Sequence, residues 1–194
     1  MSLIKSNLGQ NISTAVEVLI ETYKNLDSLF VELDRIGEEE GFLTLTPRFM
    51  RWKSDSDPAG WLTSNFIKLY QLEKDPDFSN NLGLKSGSLF GVEVDLLTNE
   101  YPVISLIRYT FDYSHWTKLP SISDHWIFFG PFRYDNFFNI YEEDGLWSSE
   151  PLDKAKKRYW GIQRAVARQI PLVEITTPES IRTKIFQELD QLPI

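Results

Sequence analysis

The chain has 194 residues, no cysteine, a net charge of −8, and 13 Phe, 8 Tyr and 6 Trp. The missing thiols exclude disulfides, thiolate metal ligands and cysteine nucleophiles, and the negative charge disfavours indiscriminate nucleic-acid binding. No stretch approaches the roughly 20 apolar residues of a membrane span, and the first residues lack the basic and apolar regions of a secretory signal, so the chain reads as cytoplasmic, with no membrane contact. Its length and 42% apolar content fit one domain over 1–194.

The first element is an amphipathic helix. From Ile12, apolar residues fall at Val16, Leu19, Tyr23, Leu26, Phe30 and Leu33, alternating steps of four and three. Thr14 with Glu17 offers a capping box and Gly37 the expected stop. After the acidic run Glu38–Glu40, residues 41–52 are β-like, interrupted by Pro47. Residues 54–60 read as loop. Trp61 to Leu72 is assigned to strand, although Asp57 and Pro58 would also serve as a helix start.

Asp75 to Ser88, rich in Pro, Asn, Gly and Ser, reads as loop. Alternation of Phe90, Val92, Val94 and Leu96, followed by Ser105, Ile107, Tyr109, Phe111 and Tyr113 on one face, predicts a β-hairpin turning near Asn99. The apolar run Trp126–Phe129 and the segment Phe132–Tyr141 predict two further strands. Ser149 and Pro151 predict the start of a helix reaching about Gln169, with Ala155, Tyr159, Ile162, Val166 and Ile170 as its apolar stripe. A short strand, Leu172–Thr176, and a helix capped by Thr177 and begun by Pro178 close the chain, with Ile181, Ile185, Leu189 and Leu192 on its buried side. Strands in the middle and helices at both ends give an α+β fold. Its mostly antiparallel or mixed central sheet would be covered by the long N-terminal helix and two C-terminal helices.

Few residue groups carry chemistry. Glu93 and Asp95, two apart on one strand, share a face and could hold a divalent metal through oxygen ligands, although plain sheet alternation with a solvent-facing polar side is the preferred reading. His115 and His125 are the only histidines, each beside a tryptophan, and their spacing fits no metal motif. Residues 151–170 carry six basic residues against Asp153 alone, whereas residues 1–150 carry 12 Lys/Arg against 23 Asp/Glu. On the expected helix, Lys154, Lys157, Arg164 and Arg168 would form a basic stripe widened by Arg158, a candidate anion-binding face for phosphate, nucleic acid or an acidic protein.

No catalytic set converges, and nothing in the sequence calls for a cofactor or a resident metal. The leading expectation is a non-catalytic interaction or binding module, pairing with a second copy of itself or with another protein through the N-terminal helix. Two alternatives stand beside it. One is a metal-dependent phosphodiesterase or nuclease using Glu93 and Asp95, with residues 154–168 as the nucleic-acid contact. The other is a small-molecule binding domain, because 14 aromatics between Tyr101 and Trp147 can line a pocket as readily as fill a core.

Overall fold

The structure, a computed structural model, describes the backbone of residues 2–46, 48–79, 81–98 and 100–193, and the side chains of all of these except 2–6 and 59. The chain forms two units, Met1–Arg35 and Ile36–Ile194.

The first unit is the greater part of helix α1 (Ser2–Glu39). The predicted seam is present, but its two ends differ. Leu26, Phe30 and Leu33 are buried, whereas Ile12 is 68% and Val16 50% exposed. Glu21–Lys24 and Glu32–Arg35 pairs, at 3.3 and 2.7 Å, brace its solvent side over one turn. The helix also begins earlier than Thr14 and does not stop at Gly37. That glycine lies inside α1, and a Cβ on it would sit 2.8 Å from Cζ of Phe186, so it permits close packing. The turn out of the helix falls at Gly41, which has φ +79°.

The second unit is built on an eight-stranded antiparallel sheet. Its strands are β1 (Phe42–Thr44), β2 (Met50–Arg51), β3 (Asn65–Leu72), β4 (Leu89–Asp95), β5 (Val103–Phe111), β6 (Phe138–Glu143), β7 (Leu146–Pro151) and β8 (Ile162–Pro171). Their order is β1-β3-β4-β5-β8-β7-β6, with β2 also paired to β3. Pro47, expected to break the first strand, lies outside the described residues between β1 and β2, and the turn near Asn99 likewise falls at an undescribed position.

Both faces of the sheet centre are covered. Every residue of β3 is buried, and β4 is buried as far as Val94. On one face Phe90 meets Phe42, which meets Phe186 of the C-terminal helical segment; the ring centroids are 5.4 and 5.0 Å apart. That segment runs through α4 (Pro178–Ile181), a π-helical turn (Arg182–Phe186) and α5 (Gln187–Gln191). Its start is the expected one, with Thr177 and Ser180 forming a capping box around Pro178. Ile181, Ile185, Leu189 and Leu192 are all buried as predicted. Arg182 ties it to the end of α1 by ion pairs to Glu39, at 2.7 Å, and Glu40.

The opposite face carries the aromatic core, in which Tyr109, Phe111, Trp116, Phe128, Phe138 and Tyr159 pack with Ile67, Leu69 and Ile107. The chain between β5 and β8 supplies much of this layer. Trp126–Phe129 is helix α2 (His125–Phe129), not a strand. A run apolar on all sides does not distinguish the two, and the preceding Ser121–Asp124 capping box favours the helix. Residues 130–132 continue as a 3₁₀ turn, so the following strand begins only at Phe138.

The helix expected from Pro151 to Gln169 is likewise replaced. Ser149 caps nothing; it is buried in β7 and donates to the Pro131 carbonyl at 2.5 Å. Asp144 and Gly145, both at positive φ, turn β6 into β7. Only Asp153–Arg158 is helical, as α3. Trp160 and Gly161 then take φ of 53° and 79°, which ends a right-handed helix, and β8 pairs with β5 from Ile162↔Phe111 to Pro171↔Val103. The predicted stripe is buried at Ala155, Tyr159, Ile162 and Val166, but by a helical turn and a strand in succession. Beyond it, Leu172–Glu174 is a 3₁₀ turn where a short strand was expected, because the β5–β8 ladder ends as Leu172 N–H reaches the Pro102 carbonyl at 2.9 Å.

Candidate functional site

The ladder fixes which side chains can meet. Directly opposed pairs place Asn65 against Asp95, Glu93 against Ile67 and Ser105, and Ser105 against Gln169. These residues therefore share one face. Towards one end that face is apolar, with Leu69, Leu89, Ile107 and Tyr109, and towards the other it is polar. The polar end is not solvent-facing, contrary to the simple alternation reading of Glu93: its side chain is 1% exposed.

A carboxylate in that position needs partners, and the 130–133 turn after α2 delivers one. Arg133 Nη2 donates to Glu93 Oε1 at 2.6 Å and to Asp95 Oδ2 at 3.3 Å, and Arg133 Nη1 donates to the Phe129 carbonyl at 3.2 Å. The guanidinium also lies 3.8 Å from the Phe129 ring centroid. Asn65 Nδ2 donates to Glu93 Oε1 at 2.5 Å, and Asn65 Oδ1 lies 2.6 Å from Nε2 of His125. With the amide hydrogens of Asn65 directed at the carboxylate, its oxygen is the acceptor, so His125 is the Nε2–H tautomer with a lone pair on Nδ1. The network runs from Arg133 through Glu93 and Asn65 to His125, joining β3, β4 and α2.

The electrostatics follow from burial. Desolvation, the largest influence, raises the Glu93 carboxyl above its ordinary value even against Arg133 and Asn65. Desolvation, reinforced by the Arg133 charge, lowers His125 to about 4, so its imidazole is neutral at pH 7. At the start of α2, burial works to raise Asp124, but hydrogen bonds from Lys118 and Ser121 outweigh it and hold the carboxyl below its ordinary value. Lys118 Nζ and Ser121 N–H reach Asp124 at 2.7 and 2.8 Å, which anchors the turn that carries His125.

Beside this network lies a recess of about 450 Å³, within the range of small-ligand sites. His125, Asn65 and Asp95 line it at the sheet end, and Trp52, Trp126, Phe129 and Tyr134 form its walls. Trp52 is 45% and Tyr134 39% exposed. A second recess of about 500 Å³ shares Trp52, His125 and Trp126, and is lined further by Arg51 and Lys53. Trp52 and Tyr134 were not singled out in the sequence. Tyr134 lies within the aromatic-rich stretch 101–147 and Trp52 outside it, and nothing local marks which aromatics face a cavity.

The other sequence candidates lie elsewhere. His115, with a half-exposed side chain, is 3.6 Å from Asp112 in the turn after β5, and is not part of the network. Among the described residues, no three of His, Asp and Glu are placed to hold a metal ion. The basic stripe is not formed: Lys154, Lys157 and Arg158 lie on α3, and Arg164 and Arg168 on β8. Lys154 and Arg158 lie 5.3 and 4.8 Å from the Phe137 ring centroid. Arg168 pairs with Glu188 at 3.1 Å. Arg164 and Arg168 oppose Thr110 and Leu106, which puts them on the face of the sheet away from Glu93.

No family model, curated protein or solved structure matches this chain.

The His125 environment makes a signed prediction. A base whose pKa falls from 6.5 in the unfolded chain to about 4 in the folded protein contributes stability above pH 6.5 that is lost as pH falls towards 4. The full window is worth roughly 3 kcal/mol. Glu93, raised from 4.5, acts with the opposite sign just above that value, so the comparison must be between variants. Urea titrations of the wild type and His125→Gln from pH 7 to 4 should show the wild type losing roughly 2 to 3 kcal/mol relative to the variant. Parallel curves would show that the histidine is not held neutral by the fold.

Proposed function

We propose that the second unit is a non-catalytic binding module whose aromatic recess beside His125 receives a small ligand. The carrying observation is the conjunction in one concavity of four aromatic walls with a fully partnered polar floor. Apolar walls supply affinity through burial, and a few fixed polar groups supply orientation. The network suits this role because its members are held by one another before any ligand arrives, which lowers the ordering cost of binding. A neutral His125 offers the Nδ1 lone pair as an acceptor. Its buried neighbours Glu93 and Arg133 neutralise each other, so neither is presented as a nucleophile or base. No described helix is long and apolar enough to cross a membrane, and a chain without cysteine suits a cytoplasmic setting.

The arrangement gives the phosphodiesterase alternative little support. The oxygens of Glu93 are engaged by Arg133 and Asn65, and the basic residues of β8 lie on the other face of the sheet. A thermal-shift screen of small organic molecules, followed by tryptophan fluorescence titration, tests the binding reading. Ligands are expected that raise Tm and whose effect is lost in Trp52→Ala and Tyr134→Ala, two substitutions at exposed rings that leave the core intact. Absence of any stabilising compound, or hits indifferent to both substitutions, would remove the reading.

A second reading concerns the first unit. Leu8, Ile12, Val16, Val18 and Ile20 are each at least half exposed on α1. Leu8, Ile12 and Val16 follow one another at four-residue spacing, a row that is costly to leave in water and fits pairing with a second copy of the chain. Light scattering at micromolar concentration should give a dimer for the wild type and a monomer for the Ile12→Glu, Val16→Glu double variant. A monomeric wild type across that range would rule it out.

A further inference from the structure

We infer that the ligand class of the aromatic recess is an organic cation, a methylated ammonium or a group of similar size and charge. The inference rests on the reading of that recess as a binding site and adds the chemistry it selects.

The charges around the recess are unequal. Among the described residues, Asp95 is the sole carboxylate lining it, and no Lys or Arg does so. Arg133 stands behind the floor, where its guanidinium serves Glu93 at 2.6 Å and reaches Asp95 only at 3.3 Å. One arginine therefore faces two carboxylates and lies closer to Glu93 than to Asp95. Asp95 holds its place by accepting the Leu97 N–H on Oδ1 at 3.0 Å. Both its oxygens keep a further lone pair, and its side chain is 17% exposed. A cation entering the recess would meet an anchored carboxylate already partly removed from water, where a charge pair is screened less than at an open surface.

The walls point the same way. Phe129 already has Arg133 at 3.8 Å and the His125 ring at 4.9 Å, and Trp126 has the Arg158 guanidinium at 5.6 Å and the Tyr159 ring at 5.1 Å, so the indole of Trp52 and the phenol of Tyr134 are the rings left to face a ligand. Electron-rich faces of this kind attract a cation, tryptophan most strongly, and favour weakly hydrated ions that shed water at little cost. A small inorganic cation would find few oxygens besides those of Asp95 and Ser64 to replace its hydration shell, whereas a methylated ammonium presents methyl groups to the rings and its charge to Asp95. The volume of about 450 Å³ leaves room for a carbon body beyond the charged head. Arg51 and Lys53 belong to the neighbouring recess and are already engaged, Arg51 with Thr63 at 3.4 Å and Lys53 with Asp55 at 3.6 Å.

The test compares shape-matched probes on the whole chain by isothermal titration calorimetry and tryptophan fluorescence. Choline is set against 3,3-dimethylbutan-1-ol, which has the same shape without the charge, with inorganic phosphate and indole as the anionic and neutral aromatic probes. Choline is expected to bind at least about tenfold more tightly than its carbon isostere, and Asp95→Asn to lose about tenfold in choline affinity with its melting transition retained. Equal binding of choline and the isostere, or preference for phosphate, overturns the cation assignment. So does indole binding without choline binding. In each of these outcomes a Trp52-dependent signal leaves the recess itself standing as a site. If no probe gives a signal that Trp52→Ala removes, the recess and the cation fall together. Because the isostere comparison uses the wild type alone, it decides the question even if Asp95→Asn is unstable.

Discussion

The second unit depends on how it tolerates one carboxylate in the middle of its sheet. Glu93 lies on a strand buried on both faces, and burying an unpaired carboxylate costs several kcal/mol. The cost is offset by a bidentate arginine and an amide donor, and these come from different parts of the chain: Arg133 from the turn after α2, Asn65 from the neighbouring strand β3. Satisfying Glu93 therefore also decides where α2 sits. Once Arg133 is drawn to β4, its ring partner Phe129 and the preceding turn of helix must lie over the polar end of the sheet, and His125 meets the oxygen of Asn65.

The recess is a by-product of that placement. At the apolar end of the same face, Tyr109, Phe111 and Phe128 pack ring to ring, with centroids 5.7 to 6.0 Å apart, and fill the space. At the polar end, side chains constrained by hydrogen bonds cannot adjust to close the gap, and the tryptophan and tyrosine rims stand open. Affinity for a ligand is thus paired with rigidity of the floor, while the hydrogen bond from Tyr109 Oη to the Phe128 carbonyl, at 2.8 Å, fixes the far end of α2.

Much of the fold could be read from the sequence where periodicity had a single interpretation. The helical course of α1, the β4–β5 hairpin and the Thr177–Pro178 helix start emerged as expected, because a repeat of 3.6 or 2 leaves few alternatives, although α1 neither starts at Thr14 nor stops at Gly37. The larger failures lie between Trp126 and Glu174. His125–Phe129 is apolar on every side, so it has no period to read, and the spacing of Ala155, Tyr159, Ile162 and Val166 is helical although a strand provides two of those residues. Only the left-handed pair Trp160–Gly161 separates the two, and a lone glycine in a helical pattern is a weak signal. For the site, Glu93, Asp95 and His125 were picked out as chemically capable residues, but the partner that gives them meaning, Arg133, lies 40 positions from Glu93 and carries no motif. The basic stripe failed for a related reason: it existed only on a helical projection.

If the Glu93–Arg133 pair positions α2 and so forms the recess, the two residues must be strongly coupled, and a double-mutant cycle measures this directly. Arg133→Met, Glu93→Gln and the double variant would be compared by urea denaturation at pH 7. Arg133→Met alone is expected to cost about 3 to 5 kcal/mol, because it leaves a buried carboxylate without its cation. The double variant should be less destabilised than the sum of the single variants by about 1.5 kcal/mol or more. A mild Arg133→Met variant, with effects additive to within roughly 0.5 kcal/mol, would mean that the pair does not organise this part of the molecule.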